Sequence, residues 1–289
     1  MANASITVRN LRFTLDDDVP KYWFGGQRSI SMLLDHLSII FPPGESFFMA
    51  SVRAFESQIT DPQLREDVRS FHAQEALHGR EHVRYNERLR KLGYPVDGID
   101  ASARRILWLT TRVLSRRGQL AVTAALEHFT ALLAQVALPS DSFLNQAHPE
   151  MSALWRWHAA EENEHAAVAF DVLQTVSGSY PLRVGIMALT TVFFLEKVLE
   201  HQIRMMWRDR CLFSGKQWAA LYKFLFRDPA IVNKVFRPYL AYYRRNFHPH
   251  QIESGQLLED WRAEFAVDER YRRSVFAPKR TVASGVTAP

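Results

Sequence analysis

The chain has 289 residues, 47% hydrophobic and 23% charged, which is the composition of an ordinary folded protein and excludes a low-complexity or wholly disordered one. A single cysteine, Cys211, excludes an intrachain disulfide and a thiolate metal cluster, and fits a reducing compartment. The net charge of +5 and a pI near 9.4 come without a recognised binding motif, so no nucleic-acid partner is expected.

The first residues, MANASITVRNLRF, lack a basic stretch followed by an apolar core, so no secretory signal is expected. The longest apolar run, residues 184–195, falls short of the roughly 20 residues that span a bilayer. A cytoplasmic location follows as the expectation. Residues 1–40 read as a lead-in segment packed on the surface, with a β-like stretch at 5–8 and a turn at Phe24-Gly25-Gly26. Pro42-Pro43-Gly44 reads as the start of a first helix to about Gln58, since proline is tolerated in a first turn. The second helix has Thr60 or Asp61 as cap and Pro62 in the first position. It ends at Leu92-Gly93, with Arg88, Arg90 and Lys91 in the last turn where the helix dipole favours them. A third helical stretch covers about 102–138, with Arg117-Gly118 as a candidate break. A fourth follows His148-Pro149 and ends near Gly178. The fold class expected is all-α: a four-helix bundle at 41–180, further helices at 181–277 packed on it, and a disordered tail at 278–289.

At about 100° per residue, each of the four helices carries an apolar stripe with ionisable groups inside it. On the fourth, Met151, Leu154, Trp155, Ala169 and Val172 define the stripe, and His158, Glu162 and His165 lie within it. Glu161 falls at the flank and Glu164 points away, so Glu162 is the better ligand. On the second, Glu75 and His78 sit among Leu64, Val68, Phe71 and Leu89. On the third, Glu127 stands alone among Leu120, Thr123, Ala124, Ala131 and Ala134, and on the first Glu45 lies beside Phe41, Phe48, Met49 and Val52. Charges in a core stripe are costly without a partner. The order Glu, Glu-x-x-His, Glu, Glu-x-x-His is the ferritin-like arrangement for two metal ions, whose charge four carboxylates offset. Oxygen donors mixed with imidazoles suit iron, or manganese, better than zinc.

The stretches Phe41-Pro-Pro-Gly-Glu45, Phe47-Phe48, Ser51-Val52-Arg53, Gln74-Glu75-Ala-Leu-His78 and Glu162-Asn-Glu-His165 resemble a bacterial family catalogued as predicted metal-dependent hydrolases, over about residues 5–270. His158-x-x-x-Glu162-x-x-His165 is similar to the third-histidine pattern of the di-iron arylamine N-oxygenases. This second resemblance implies a seven-ligand di-iron site of Glu45, Glu75, His78, Glu127, His158, Glu162 and His165. Outside those ligands the similarity to the N-oxygenases is slight, so their substrate is not carried over.

His82 shares the stripe of Glu75 and His78 and is a candidate to orient a ligand. His72 at the stripe edge and His128, about 100° from Glu127, read as structural, and Glu196, Glu200 and His201 read as surface or salt-bridged groups. The basic, aromatic stretch from Trp218 to Phe247 has the composition to rest on an anionic membrane or cover an apolar substrate, although helices packed over the bundle with their Arg heads in water are the favoured reading.

The leading functional expectation is a di-iron oxidoreductase or oxygenase that takes O₂, a small organic substrate and electrons from an external donor. The alternative is a dimetal hydrolase of an ester or phosphate. Iron storage fits less well, because about a hundred residues follow the fourth helix and more naturally build a substrate pocket or a homodimer surface.

Overall fold

The computed structural model describes residues 6–15, 18–252, 254–268 and 271. Among these the chain is all-α, with ten α-helices, no strand, and an isolated antiparallel bridge between Phe24 and Ala147.

Helix α1 (Arg28–Arg53) departs most from the sequence reading. It starts about four turns before Pro42-Pro43 and runs through both prolines. Pro42 has no N–H to offer the Ser38 carbonyl one turn back. Asn86 Nδ2, on the neighbouring helix, donates to that carbonyl at 3.1 Å instead. The lead-in expected to reach residue 40 therefore ends at Gln27, and its described part is not a surface strap. Leu11, Phe13, Trp23 and Phe24 are each 1% exposed. Gly25 and Gly26, at φ +52° and +73°, turn the chain into α1 in a region that glycine enters without strain.

Helix α2 (Pro62–Lys91) keeps its expected limits: Asp61 caps it by accepting from Gln63 N at 2.8 Å, and Gly93, at φ +81°, follows its end. The expected third helix is two, α3 (Val96–Val113) and α4 (Arg116–Ala137). The chain breaks at Leu114-Ser115 rather than at Gly118, because Ser115 Oγ caps α4 by accepting from Gly118 N. The fourth also divides, into α5 (Pro149–His165) and α6 (Val168–Val176). Then come α7 (Tyr180–Arg208), α8 (Gly215–Phe226), α9 (Ile231–Ala241) and α10 (Gly255–Val267). The tail expected at 278–289 lies outside the described residues.

Helix α1 packs along α2, and α4 along α5 and α6; α1 also meets α4, and α2 meets α5 and α6. These rods enclose two apolar clusters. One holds Ile39, Leu89, Ala134 and Leu154, and the other Val52, Phe71, Ala124 and Val172. On every rod the residues between the two clusters include carboxylates or imidazoles, so a polar layer separates two greasy ones. Outside the rods, α3 lies on α1, α7 on α1 and α4, α9 on α4, and α10 on α5. Among the described residues one helix, α4, is long and apolar enough to cross a membrane, and 72% of its most apolar window is buried.

Candidate metal centre

The polar layer is built from Glu45 on α1, Glu75, His78 and His82 on α2, Glu127 on α4, and His158, Glu162 and His165 on α5. Each is at most 4% exposed. Donor atoms of Glu45, Glu75 and His78 lie within 4.8 Å of one another, as do those of Glu75, Glu162 and His165, and those of His78, His158 and Glu162. So do those of Glu45, His82 and His158; Glu45, Glu75, His78, His158 and Glu162 each belong to two of the four groups, so the donors form one continuous cluster. Glu127 joins it through His165, whose Nε2 is 3.3 Å from Glu127 Oε2, 3.3 Å from Glu162 Oε2 and 3.1 Å from Glu75 Oε1. All seven residues singled out in the sequence thus meet at one place.

The cluster is electrostatically incomplete as it stands. Both oxygens of Glu45, Glu75 and Glu127 are buried with no hydrogen-bond partner, as is His78 Nδ1. Leaving such groups unpartnered costs about 1–3 kcal/mol each, more when charged. Burial, then the charges of Glu162 and Glu127, push Glu45 well above the usual carboxylate range. Glu75 is raised in the same way, by burial and then by Glu127, and Glu127 is raised by burial to about 7. Glu162 is the exception: burial opposes its charge, but His165 and His158 hold it well below its usual value. His165 answers it, raised well above the usual imidazole range by Glu162 and Glu127 in spite of burial. Burial and then the nearby His158 lower His78 and His82, which keeps both neutral and able to donate a lone pair. Two divalent cations would balance four carboxylates and engage the oxygens that now lack donors. The residues fit a metal pair.

Backbone and outer contacts aim the donors. A Cβ on Gly79, in the middle of α2, would lie 3.0 Å from Glu45 Oε2, so any larger residue would push that carboxylate back by a few tenths of an ångström. Gln74 Nε2 donates to Glu164 Oε2 at 3.0 Å, which turns its Oε1 toward His165 Nδ1 at 2.9 Å. His165 Nδ1 thus donates to Gln74, and Nε2 faces the carboxylates. His78 Nε2 lies 3.1 Å from Glu161 Oε2, which leaves Nδ1 facing the cluster. For His158, Nδ1 meets His82 Nε2 at 2.6 Å, His82 Nδ1 meets Ser38 Oγ at 2.9 Å, and Ser38 Oγ donates to Asn86 Oδ1. One proton assignment satisfies that row and leaves His158 Nε2 beside Glu162 Oε1 at 2.7 Å.

Gln74, Glu161, Glu164 and Arg9 were not picked out as site residues by the sequence. Glu161, read as flanking, is fully buried, and Glu164, read as pointing away, is 6% exposed. Arg9 reaches both, at 3.3 Å and 2.7 Å, and Arg262 on α10 reaches Glu164 at 2.8 Å. The N-terminal segment and α10 cover the face of α5 that would otherwise meet solvent. A signal was present: residues 151–165 carry acids on more than one face, and a helix buried all round needs cations from elsewhere in the chain.

Of the remaining candidates, His72 bonds Glu56 at 2.8 Å, and His128 packs on Tyr242 and Phe247. Glu196 and Glu200 pair with Lys197. His201 is not on the surface as expected; it is fully buried, edge-on to His36 at 5.9 Å, because α7 lays that side against α1.

No curated protein and no solved structure matches the chain. A family model does, over residues 7–253, a span that includes every member of the buried cluster and Arg9. The chain belongs to the family described as "Predicted metal-dependent hydrolase".

Proposed function

We propose that the polar layer holds two metal ions, iron natively with manganese as the substitute, and that the protein is a ferritin-like O₂-dependent oxidoreductase acting on a small organic substrate. The observation that carries this reading is the donor set: four carboxylates and three imidazoles, all buried, in the order Glu, Glu-x-x-His, Glu, Glu-x-x-His on packed helices. Bound there, an iron pair supplies the electron-transfer steps that reduce O₂, with replacement electrons from an external donor.

The chain's own groups have separable roles. Glu45, Glu75, His78, His158 and Glu162, each shared between two donor groups, would hold the ions, with Glu127 and His165 beside them. Gln74, Glu161 and His82 hold the protons of His165, His78 and His158 on the ring atoms that face away from the cluster. Glu45, Glu75 and Glu127 release protons as metal enters, so uptake strengthens as pH rises. Burial of every ligand restricts bulk water, which suits O₂ chemistry better than hydrolysis.

The family's description favours a second reading, in which the metals activate a water against an ester or phosphate. Loading the anaerobic protein with ferrous iron and adding O₂ separates the two. Prompt O₂ uptake with oxidation of the bound iron supports the oxidoreductase. No uptake, together with ester or phosphate turnover by the manganese or zinc form without O₂, replaces it with the hydrolase.

A further inference from the structure

The solvent side of α7 is apolar along most of its length. Leu189, Val192, Leu195, Leu199, Ile203 and Trp207 recur at steps of three and four residues and are 38–65% exposed. At 1.5 Å per residue the stripe is about 27 Å long. Helix α3 runs antiparallel beside it: Arg204 donates to the Gly98 carbonyl, and Ser102 Oγ bonds Glu200. Trp108 and Val113 are 57% and 70% exposed. On the other flank, Thr191 meets the Tyr239 hydroxyl of α9 at 2.9 Å, and α9 exposes Phe236 and Leu240. Phe213, 89% exposed, extends the surface beside Trp207. At about 10 Å across, the α7 stripe alone covers about 270 Å², and the exposed apolar residues of α3 and α9 add to it.

Charge decides what covers it. Helices α3, α7 and α9 carry nine Lys and Arg against four Asp and Glu, a net +5, which equals the net charge of the whole chain. A cation sits among the exposed aromatics of this face: Arg112 lies 5.5 Å over Trp108. A second copy would bring one net-positive face against another. An anionic bilayer satisfies the apolar and the positive groups together.

We propose that the face formed by α3, α7 and α9 docks on an anionic lipid bilayer. Trp108, Trp207 and Phe213 enter the boundary between headgroups and acyl chains, and the surrounding Arg and Lys meet lipid phosphates. The proposal is independent of what the buried centre catalyses. Helix α4, which carries Glu127, packs directly against α7 and α9, so docking sets the polar layer close to the membrane.

Co-sedimentation of the full chain with vesicles tests it, using phosphatidylcholine alone and phosphatidylcholine with about one-third phosphatidylserine. Binding is expected to the anionic vesicles, weakly to the neutral ones, and to fall steeply with added salt. The double variant Trp108→Ser/Trp207→Ser should lower binding roughly tenfold or more with its helical circular dichroism unchanged. Arg105→Glu/Arg112→Glu should reduce the preference for anionic vesicles. Failure to bind either vesicle overturns the proposal, as does equal binding to both. So does a dimer in sedimentation velocity that the tryptophan variant dissolves, which would assign the face to a second copy.

Discussion

Removing the metal from the buried layer leaves Glu127 buried and facing one imidazole, His165 Nε2 at 3.3 Å, and its pKa stands at about 7 against an ordinary 4.5. Burial is the main cause; His165 opposes it and Glu162 adds to it. A carboxyl whose pKa is higher in the folded state stabilises the fold fully below pH 4.5 and loses that contribution as pH climbs through 7. At 1.36 kcal/mol per pH unit, the difference amounts to about 3 kcal/mol. Glu45, Glu75 and His165, all raised, act in the same sense, whereas Glu162 acts oppositely but only below its ordinary range. Asp35, which burial also raises to about 7, adds the same trend with or without metal, so the informative quantity is a difference. For a chain of this size, about 3 kcal/mol corresponds to roughly 6–12 °C in melting temperature. Calorimetry of chelator-treated and metal-loaded protein from pH 5 to 8 should show the metal-free form losing at least that much relative to the loaded one. Glu127→Leu should abolish part of the slope and melt higher than the parent at pH 8 when metal-free, while binding less metal. A flat metal-free profile, or a leucine variant that is equally destabilised at pH 5 and pH 8, refutes the reasoning.

Gly79→Ala should leave the metal-free fold intact or slightly more stable, since alanine gains up to about 1 kcal/mol in a helix interior. Its Cβ displaces Glu45, and metal affinity by competition with a chromophoric chelator should fall roughly tenfold; unchanged affinity would remove glycine's role. Gln74→Leu takes the acceptor from His165 Nδ1 and should cost about 10–100-fold in the same titration. Arg9→Ala leaves Glu161 and Glu164 buried with fewer partners, which should lower stability in urea by about 3–5 kcal/mol; a loss under about 1 kcal/mol would show that Arg262 suffices.

What the sequence by itself determined is which residues share a helix face. Glu75 with His78, and His158 with Glu162 and His165, meet because steps of three and four return to the same side of a helix, a property that needs no partner to be read. The same periodicity placed Glu45 and Glu127 among apolar neighbours. It could not say what stands opposite. Gln74 behind His165, Glu161 behind His78, and Arg9 between two glutamates are contacts across 83 to 155 residues of chain, and only packing creates them. Pro42-Pro43 misled for the same reason, because the Asn86 amide that lets α1 continue comes from another helix. Helix α7 is apolar on more than one side. The tertiary structure alone decided which side lies against α1 and α4 and which remains exposed, since burial depends on neighbours that local sequence does not name.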